Sequence, residues 1–252
     1  MWNLKNKKAL ITGGTKGIGR ASVKMFLDLG AEVLFTARNE KEINSFESKL
    51  KNEGLKATGI VADSSDSKDI DKIKKWINKN WKKLDILVNN AGINIRKKTN
   101  DYSEEEFRKV LEVNLVAPFE ISRKLFPLLK KSGNASIINV ASSAALQDVG
   151  TGTPYSMSKS GLLQQTRSLA VEWAQDSIRV NAVSPWFTKT PLTEGYLHNE
   201  EKMQAILNRT PLNRVAEAEE MSSIISFLAM DNSSFITGQN IVADGGMSVN
   251  AL

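Results

Sequence analysis

Short, nearly all-apolar runs alternate with longer amphipathic segments from one end of this 252-residue chain to the other. The runs span 9–12, 33–36, 57–62, 86–89, 136–140, 178–183 and 241–243 and are rich in β-branched residues. Strands apolar on both faces are what a parallel sheet covered by helices requires. Between them, helical spacing predicts helices over 18–29, 40–52, 66–80, 103–113, 118–131, 154–175 and 216–230. Ser103 with Glu106 reads as a capping box at one helix start. Strand–helix alternation repeated seven times predicts an α/β fold with a doubly wound, seven-stranded parallel sheet, built as a single domain over 1–252. The one long excursion, about 186–211, separates the sixth strand from the last helix. It carries Trp186, Phe187, Tyr196 and several leucines, and it reads as a substrate lid.

Two counts remove whole classes of chemistry. The chain has no cysteine and one histidine, His198. No disulfide, thiolate metal site or cysteine nucleophile can form, and a multi-histidine metal centre cannot be built. A Ser-His-Asp triad would have to use His198, in a polar stretch. Acid–base chemistry must therefore come from Tyr, Lys, Asp or Glu. The net charge is +6, and its densest run is 72–83 with Trp76 and Trp81. Ile70, Ile73 and Ile77 keep helical spacing there, so the lysines read as the wet face of an amphipathic helix, and no nucleic-acid partner is expected. No apolar run approaches the roughly 18 residues of a membrane span. Residues 1–8 lack a signal-peptide core, and a cytoplasmic location is expected.

The first strand runs into Gly13-Gly14-Thr15-Lys16-Gly17-Ile18-Gly19 and then a helix. Glycines at such a turn let the backbone approach a pyrophosphate, which a helix N-terminus favours. Gly14 and Gly19 have P-loop separation, but Arg20-Ala21 replaces the Lys-Ser/Thr that would grip phosphate and Mg²⁺. After the second strand an acidic residue would select NAD; this chain has Thr36-Ala37-Arg38. Arg38 and Lys16 can both pair with a 2′-phosphate, so NADP(H) is the expected cofactor. The plainer alternative leaves Arg38 as a solvated loop residue.

Tyr155 and Lys159 stand four apart, on one helix face. A free phenol has a pKa of about 10, and a nearby ammonium is expected to lower it toward working pH. Ser142 follows the fifth strand and Asn89-Asn90-Ala91-Gly92 the fourth, both at the carboxyl edge where ligands bind in open α/β sheets. Asn114 interrupts an apolar helix face.

With these residues in this order, the chain resembles the short-chain dehydrogenase/reductase family over essentially its whole length. The shared motifs are Thr12-Gly13-x-x-x-Gly17-x-Gly19, Asp63, Asn89-Asn90-Ala91-Gly92, Asn114, Ser142, Tyr155-x-x-x-Lys159, Thr237-Gly238-Gln239 and Asp244-Gly245-Gly246. Trp2-Asn3-Leu4-Lys5 and the stretch from Pro185-Trp186 to Thr190-Pro191-Leu192 look most like the tropinone reductase-like subgroup. The resemblance implies a Rossmann-type fold and a catalytic set of Asn114, Ser142, Tyr155 and Lys159. Tyr155 would give a proton to the carbonyl oxygen as hydride leaves the nicotinamide. Lys159 would hold the nicotinamide ribose, Ser142 the substrate oxygen, and Asn114 a water leading from Lys159 to solvent. Cofactor contacts would come from Gly13, Thr15, Lys16, Gly17, Ile18 and Gly19 in the first turn. Arg38, Asp63 at the adenine, Asn90, Gly92, Tyr155, Lys159, Pro185, and Thr188 or Thr190 would supply the rest. Asn114 as a helix cap and Asp63 as a turn residue remain the alternatives.

Two residues depart from the family pattern: Trp186 stands where most members have glycine, and Met157 where alanine is usual. The function expected is interconversion of a ketone and a secondary alcohol with NADP(H). The substrate would sit between Ser142, Tyr155, the 146–153 loop and the lid, a lining that suggests a hydrophobic or cyclic carbonyl compound. A 3-oxoacyl-[acyl-carrier-protein] reductase is the alternative, and a non-catalytic NADP-binding sensor the alternative of another class. The family implies a homotetramer or homodimer.

Overall fold

The computed structural model describes residues 2–250. Seven strands form one wholly parallel sheet in the order β3-β2-β1-β4-β5-β6-β7. They are β1 (Lys8–Thr12), β2 (Glu32–Ala37), β3 (Ala57–Val61), β4 (Ile86–Asn89), β5 (Ala135–Val140), β6 (Ile178–Pro185) and β7 (Asn240–Ala243). Helices cover both faces. One face carries α1 (Gly17–Asp28), α2 (Glu40–Asn52) and α9 (Ala218–Ala229), which bury Phe26, Phe46 and Ile225 against the sheet. The other carries α3 (Ser67–Asn80), α5 (Ala117–Lys130) and α6 (Thr153–Glu172), with Ile77, Leu125 and Leu169 buried. Each such side chain contributes about 1.5–3 kcal/mol by leaving water. Burial of Ile70, Ile73 and Ile77 on α3 makes that helix amphipathic, as its spacing predicts. Among the described residues no helix is long and apolar enough to cross a membrane.

Two local features depart from the sequence pattern. The helices expected over 103–113 and 118–131 join: α4 (Glu104–Leu111) passes through a π-helical turn, Glu112–Val116, directly into α5. Ser103 and Glu106 cap α4 reciprocally. The excursion after β6 contains two short helices, α7 (Glu194–Leu197) and α8 (Glu200–Asn208). They pack Ile206, Tyr196 and Met203 around Phe187.

Register sets where the chemistry lies. Thr12 pairs with Thr36, Asn89 with Asn139, Val140 with Val183, and Pro185 with Ala243. The carboxyl ends of β1, β4, β5 and β6 thus lie along one edge, and Gly13, Asn90, Ala141 and Trp186 leave the sheet together. A buried polar ladder locks α6 to this edge. Asn89 Nδ2 donates to Asn139 Oδ1 at 2.8 Å, and Asn139 Nδ2 to Thr166 Oγ1 of α6 at 2.9 Å. The ladder favours one alignment, because a slip would break both amide bonds and leave further buried polar atoms bare beside Asn89 Oδ1.

Candidate active site

The turn after β1 is held shut by polar contacts. Asn90 Nδ2 donates to the carbonyls of Thr12 and Gly13, at 2.9 and 3.1 Å, and Thr12 Oγ1 accepts from the amides of Asn90 and Ala91. Gly13 has φ +66°, and a Cβ on Gly19 would lie 2.2 Å from the Gly13 carbonyl oxygen, so neither position admits a side chain without a shift. Lys16 N-caps α1 without a side-chain bond, and no acidic residue sits in the first turn. The amides of Gly17 and Ile18 therefore begin a helix whose end favours an anion, and both residues line a cavity of about 250 Å³. The turn fits a dinucleotide pyrophosphate.

The adenosine side holds a residue that sequence reasoning missed. Glu42, in the first turn of α2, pairs with Lys16 Nζ at 2.7 Å and accepts from Thr15 Oγ1 at 3.2 Å. A carboxylate thus stands close to the residues expected to meet a 2′-phosphate, which reading the end of β2 alone could not show. Its contact with Lys16 holds the Glu42 carboxyl below its usual range. Arg38 is exposed and, like Thr15 and Asp63, lies outside the cavity lining. Asp63 accepts from the amide and hydroxyl of Ser65, the arrangement of a turn residue. Burial raises its carboxyl, but those bonds and the charges of Arg38 and Lys109 leave it below normal.

Tyr155, Lys159 and Ser142 meet at the sheet edge. Lys159 Nζ lies 5.8 Å from the Tyr155 ring centroid and donates to the Val140 carbonyl at 2.8 Å. Gly92 leaves room for this lysine: a Cβ there would be 3.6 Å from Nζ. Burial pushes the Lys159 pKa down to about 8. The expectation that Lys159 draws the phenol down needs correction. Burial raises Tyr155, and the groups pulling it back are the Ser142 hydroxyl and the Arg96 charge. Desolvation wins here because the ring sits among Val110, Ala144, Ile93, Ile95 and Val149.

Asn114, in the π turn, grips the loop that follows β4. Its Oδ1 accepts from the Ile93 amide and its Nδ2 donates to the Ile93 carbonyl, both at 2.9 Å. Its second amide hydrogen goes to Ser158 Oγ at 3.2 Å. Tyr102 holds the next step of the same loop by donating to the Ile95 carbonyl. With Ile93 and Ile95 turned to the apolar cluster around Tyr155, the alternate residues Asn94 and Arg96 line the cavity.

Opposite lies the segment that follows β6. Trp186 lines the cavity, stacks edge-on against Phe187, and donates its indole N–H to Thr210 Oγ1 at 3.1 Å. Thr188 donates its hydroxyl back to the Trp186 carbonyl, whereas Thr190 lies directly over Gly17, where a Cβ would meet it at 3.0 Å. Arg96 bridges to this segment, 4.7 Å from the Tyr196 ring centroid and donating to the Leu192 carbonyl at 3.3 Å. His198 ends α7 outside the cavity lining. Of the expected site residues, the cavity gathers Gly13, Lys16, Gly17, Ile18, Asn90, Gly92, Ser142, Tyr155, Lys159, Pro185, Thr188 and Thr190. Asn94 and Arg96 join them unannounced and Thr151 comes from the expected 146–153 loop, so the lining is less apolar than its sequence suggested.

A buried phenol beside an ammonium and a hydroxyl, facing a turn shaped for phosphate, can deliver a proton alongside a hydride. The chain is an oxidoreductase acting on CH–OH/C=O groups. A family model described as enoyl-(acyl carrier protein) reductase matches residues 13–248, and the chain belongs to the short-chain dehydrogenase/reductase family. A tropinone reductase homologue of Arabidopsis thaliana is 45% identical over 250 residues, covering 99% of this chain and 95% of the relative. A second homologue from that plant is 43% identical, covering 99% and 94%. The solved structure of a gluconate 5-dehydrogenase from Burkholderia cenocepacia J2315, in complex with NADP and tartrate, superposes with a TM-score of 0.95. It is 26% identical, covering 99% of this chain and 98% of that one.

Proposed function

We propose that this protein reduces a ketone to a secondary alcohol with NADPH, and catalyses the reverse oxidation, in the cytoplasm. The observation that carries the reading is the convergence of Tyr155, Lys159 and Ser142 on one cavity with the glycine turn. NADPH, when bound, supplies the hydride that adds to the carbonyl carbon. Ser142 hydrogen-bonds the carbonyl oxygen as negative charge grows there. The Tyr155 O–H bond breaks and its proton goes to that oxygen, completing the alcohol. The phenolate left behind is stabilised by the Ser142 hydroxyl and by the positive charge of Arg96. With a pKa of about 8, Lys159 is an acid able to return the proton near neutral pH. Asn114 is a positioning residue that holds the loop carrying Asn94 and Arg96.

The preference for NADP(H) is supported by Arg38 after β2 and by Lys16 at the turn, although Lys16 must be shared with Glu42. We also propose a homotetramer. Exposed Phe119 on α5 and Val171 on α6 lie on the helix faces such an assembly would cover. A screen at 340 nm, NADPH against NADH, over cyclic ketones, 3-oxoacyl thioesters, quinones and oxo acids tests the reading. Turnover of a free carbonyl compound with NADPH is expected. Turnover of carrier-bound thioesters alone, or of nothing, would overturn it.

A further inference from the structure

Three side chains on the cavity wall have buried polar atoms without partners among the described residues. They are both amide atoms of Asn94, Nε of Arg96 and Oγ1 of Thr151. Buried polar atoms are ordinarily satisfied, and each one left bare is costly. Three converging on one cavity call for a ligand with complementary groups. The charge pattern says which kind. Lys16, Arg96 and Lys159 line the cavity, and no Asp or Glu among the described residues does. Lys16 is engaged by Glu42, and Lys159 is anchored to the Val140 carbonyl beside Tyr155. Arg96 is the cation left on the lid side. Its only protein hydrogen bonds among the described residues are to the Leu192 carbonyl, and its guanidinium is steadied by the Tyr196 ring.

We infer that Arg96 binds a carboxylate on the substrate, with Asn94 and Thr151 hydrogen-bonding hydroxyl groups beside it, so that the substrate is a hydroxylated oxo acid and its product a hydroxy acid. This rests on the proposed carbonyl reduction at Tyr155 and names the molecule that enters. The guanidinium offers paired N–H groups matched to a carboxylate, and a site built to bond hydroxyls discriminates strongly against analogues lacking them. The loop geometry supports this use. Asn114 and Tyr102 pin the Ile93 and Ile95 backbone, which keeps the alternate side chains of Asn94 and Arg96 on the cavity wall. Because the Arg96 charge also reaches Tyr155, a carboxylate bound there lies within electrostatic range of the reacting phenol.

The test compares D-gluconate with cyclohexanol as substrates for oxidation by NADP⁺, in wild type and Arg96→Met. Wild type is expected to favour gluconate, and Arg96→Met to reduce the kcat/KM ratio of gluconate to cyclohexanol about 100-fold, chiefly through KM. Arg96→Lys should restore part of the ratio, and it serves as the reading should Arg96→Met fail to fold. Thermal melting of the NADP⁺-loaded protein with tartrate separates recognition from chemistry. Tartrate should raise the wild-type Tm and not that of Arg96→Met. If tartrate binds through Arg96 but neither alcohol is oxidised, the proposed reaction fails while the recognition stands. An unchanged ratio, tartrate binding independent of Arg96, or a matching loss of NADP⁺ affinity in Arg96→Met would overturn the assignment.

Discussion

The two ends of the cleft are finished to different degrees. At the glycine turn most polar groups are paired within the protein: Asn90 with the Thr12 and Gly13 carbonyls, Thr12 with two amides, Lys16 and Thr15 with Glu42, with the neighbouring Thr36 hydroxyl left bare. At the opposite end Asn94, Arg96 and Thr151 keep buried polar atoms bare. A closed network gives one rigid shape, suited to a cofactor that is the same in every turnover. An open one stores unsatisfied hydrogen-bonding capacity that a particular substrate completes. Tyr155, Lys159 and Ser142, the proposed reacting trio, lie between, where Lys159 and Tyr155 are both buried and both shifted from their ordinary pKa values.

Four tests, the second a matched pair of variants, would break or sharpen that contrast. The largest effect is expected from Lys159→Met, which removes the acid proposed to return the proton to Tyr155. Reductase kcat/KM should fall about a thousand-fold. Replacing a buried, desolvated ammonium should at the same time raise Tm at pH 7, so activity and stability move in opposite directions; a lower Tm would contradict the burial account. Next comes Gly19→Ala, whose methyl would collide with the Gly13 carbonyl and Asn90. A loss of about 1–3 kcal/mol in denaturant titrations is expected. Asn94→Leu, at the open end, should cost no stability, since it removes an amide that nothing in the protein satisfies. Equal losses at both positions would erase the distinction between the two ends.

The third perturbation is pH. With Lys159 held near 8, its charge is lost well below the roughly 10.4 of a free lysine. Reductive kcat/KM should therefore decline from about pH 8 upward. Between those two values the unfolded chain holds the extra proton, so this residue's contribution to stability rises with pH. Comparing wild type with Lys159→Met from pH 7 to 10 separates that contribution from other groups, and no difference in slope would count against it. The smallest effect is expected from Glu42→Gln, which frees Lys16 and Thr15. The preference for NADPH over NADH should grow about two- to five-fold, the scale of a surface ion pair; a shrinking preference would mean that Glu42 favours the phosphate instead.

Much of this cleft could be read before any coordinates, and the reasons are physical. Strands buried on both faces leave an unmistakable apolar run, so all seven strands lie where the pattern puts them, with ends shifted by a residue or two. Helix starts with side-chain caps, such as Ser103, are equally legible. The glycine turn and the Tyr155–Lys159 pair are local, each written within a few consecutive residues. What the sequence hid is non-local or aperiodic. The π turn at Asn114 inserts one residue into a helix, a change no hydrophobic period reports. Asn94 and Arg96 sit in a loop whose alternation becomes visible only once Asn114 and Tyr102 grip the backbone between them. Glu42 lies far along the chain from Lys16 and Thr15, and only the packing of α2 beside the first turn brings them into contact. The Tyr155 shift was misjudged because a lysine four residues on says nothing about how dry the surroundings are.

The central claim is that Tyr155 is the proton donor of a carbonyl reduction, and Tyr155→Phe tests it with two readouts on one sample. NADPH binding, followed by the fluorescence of the reduced nicotinamide, should match wild type, while kcat for carbonyl reduction falls about 10²–10⁴-fold. A variant that binds NADPH and still reduces the substrate at the wild-type rate would contradict the account.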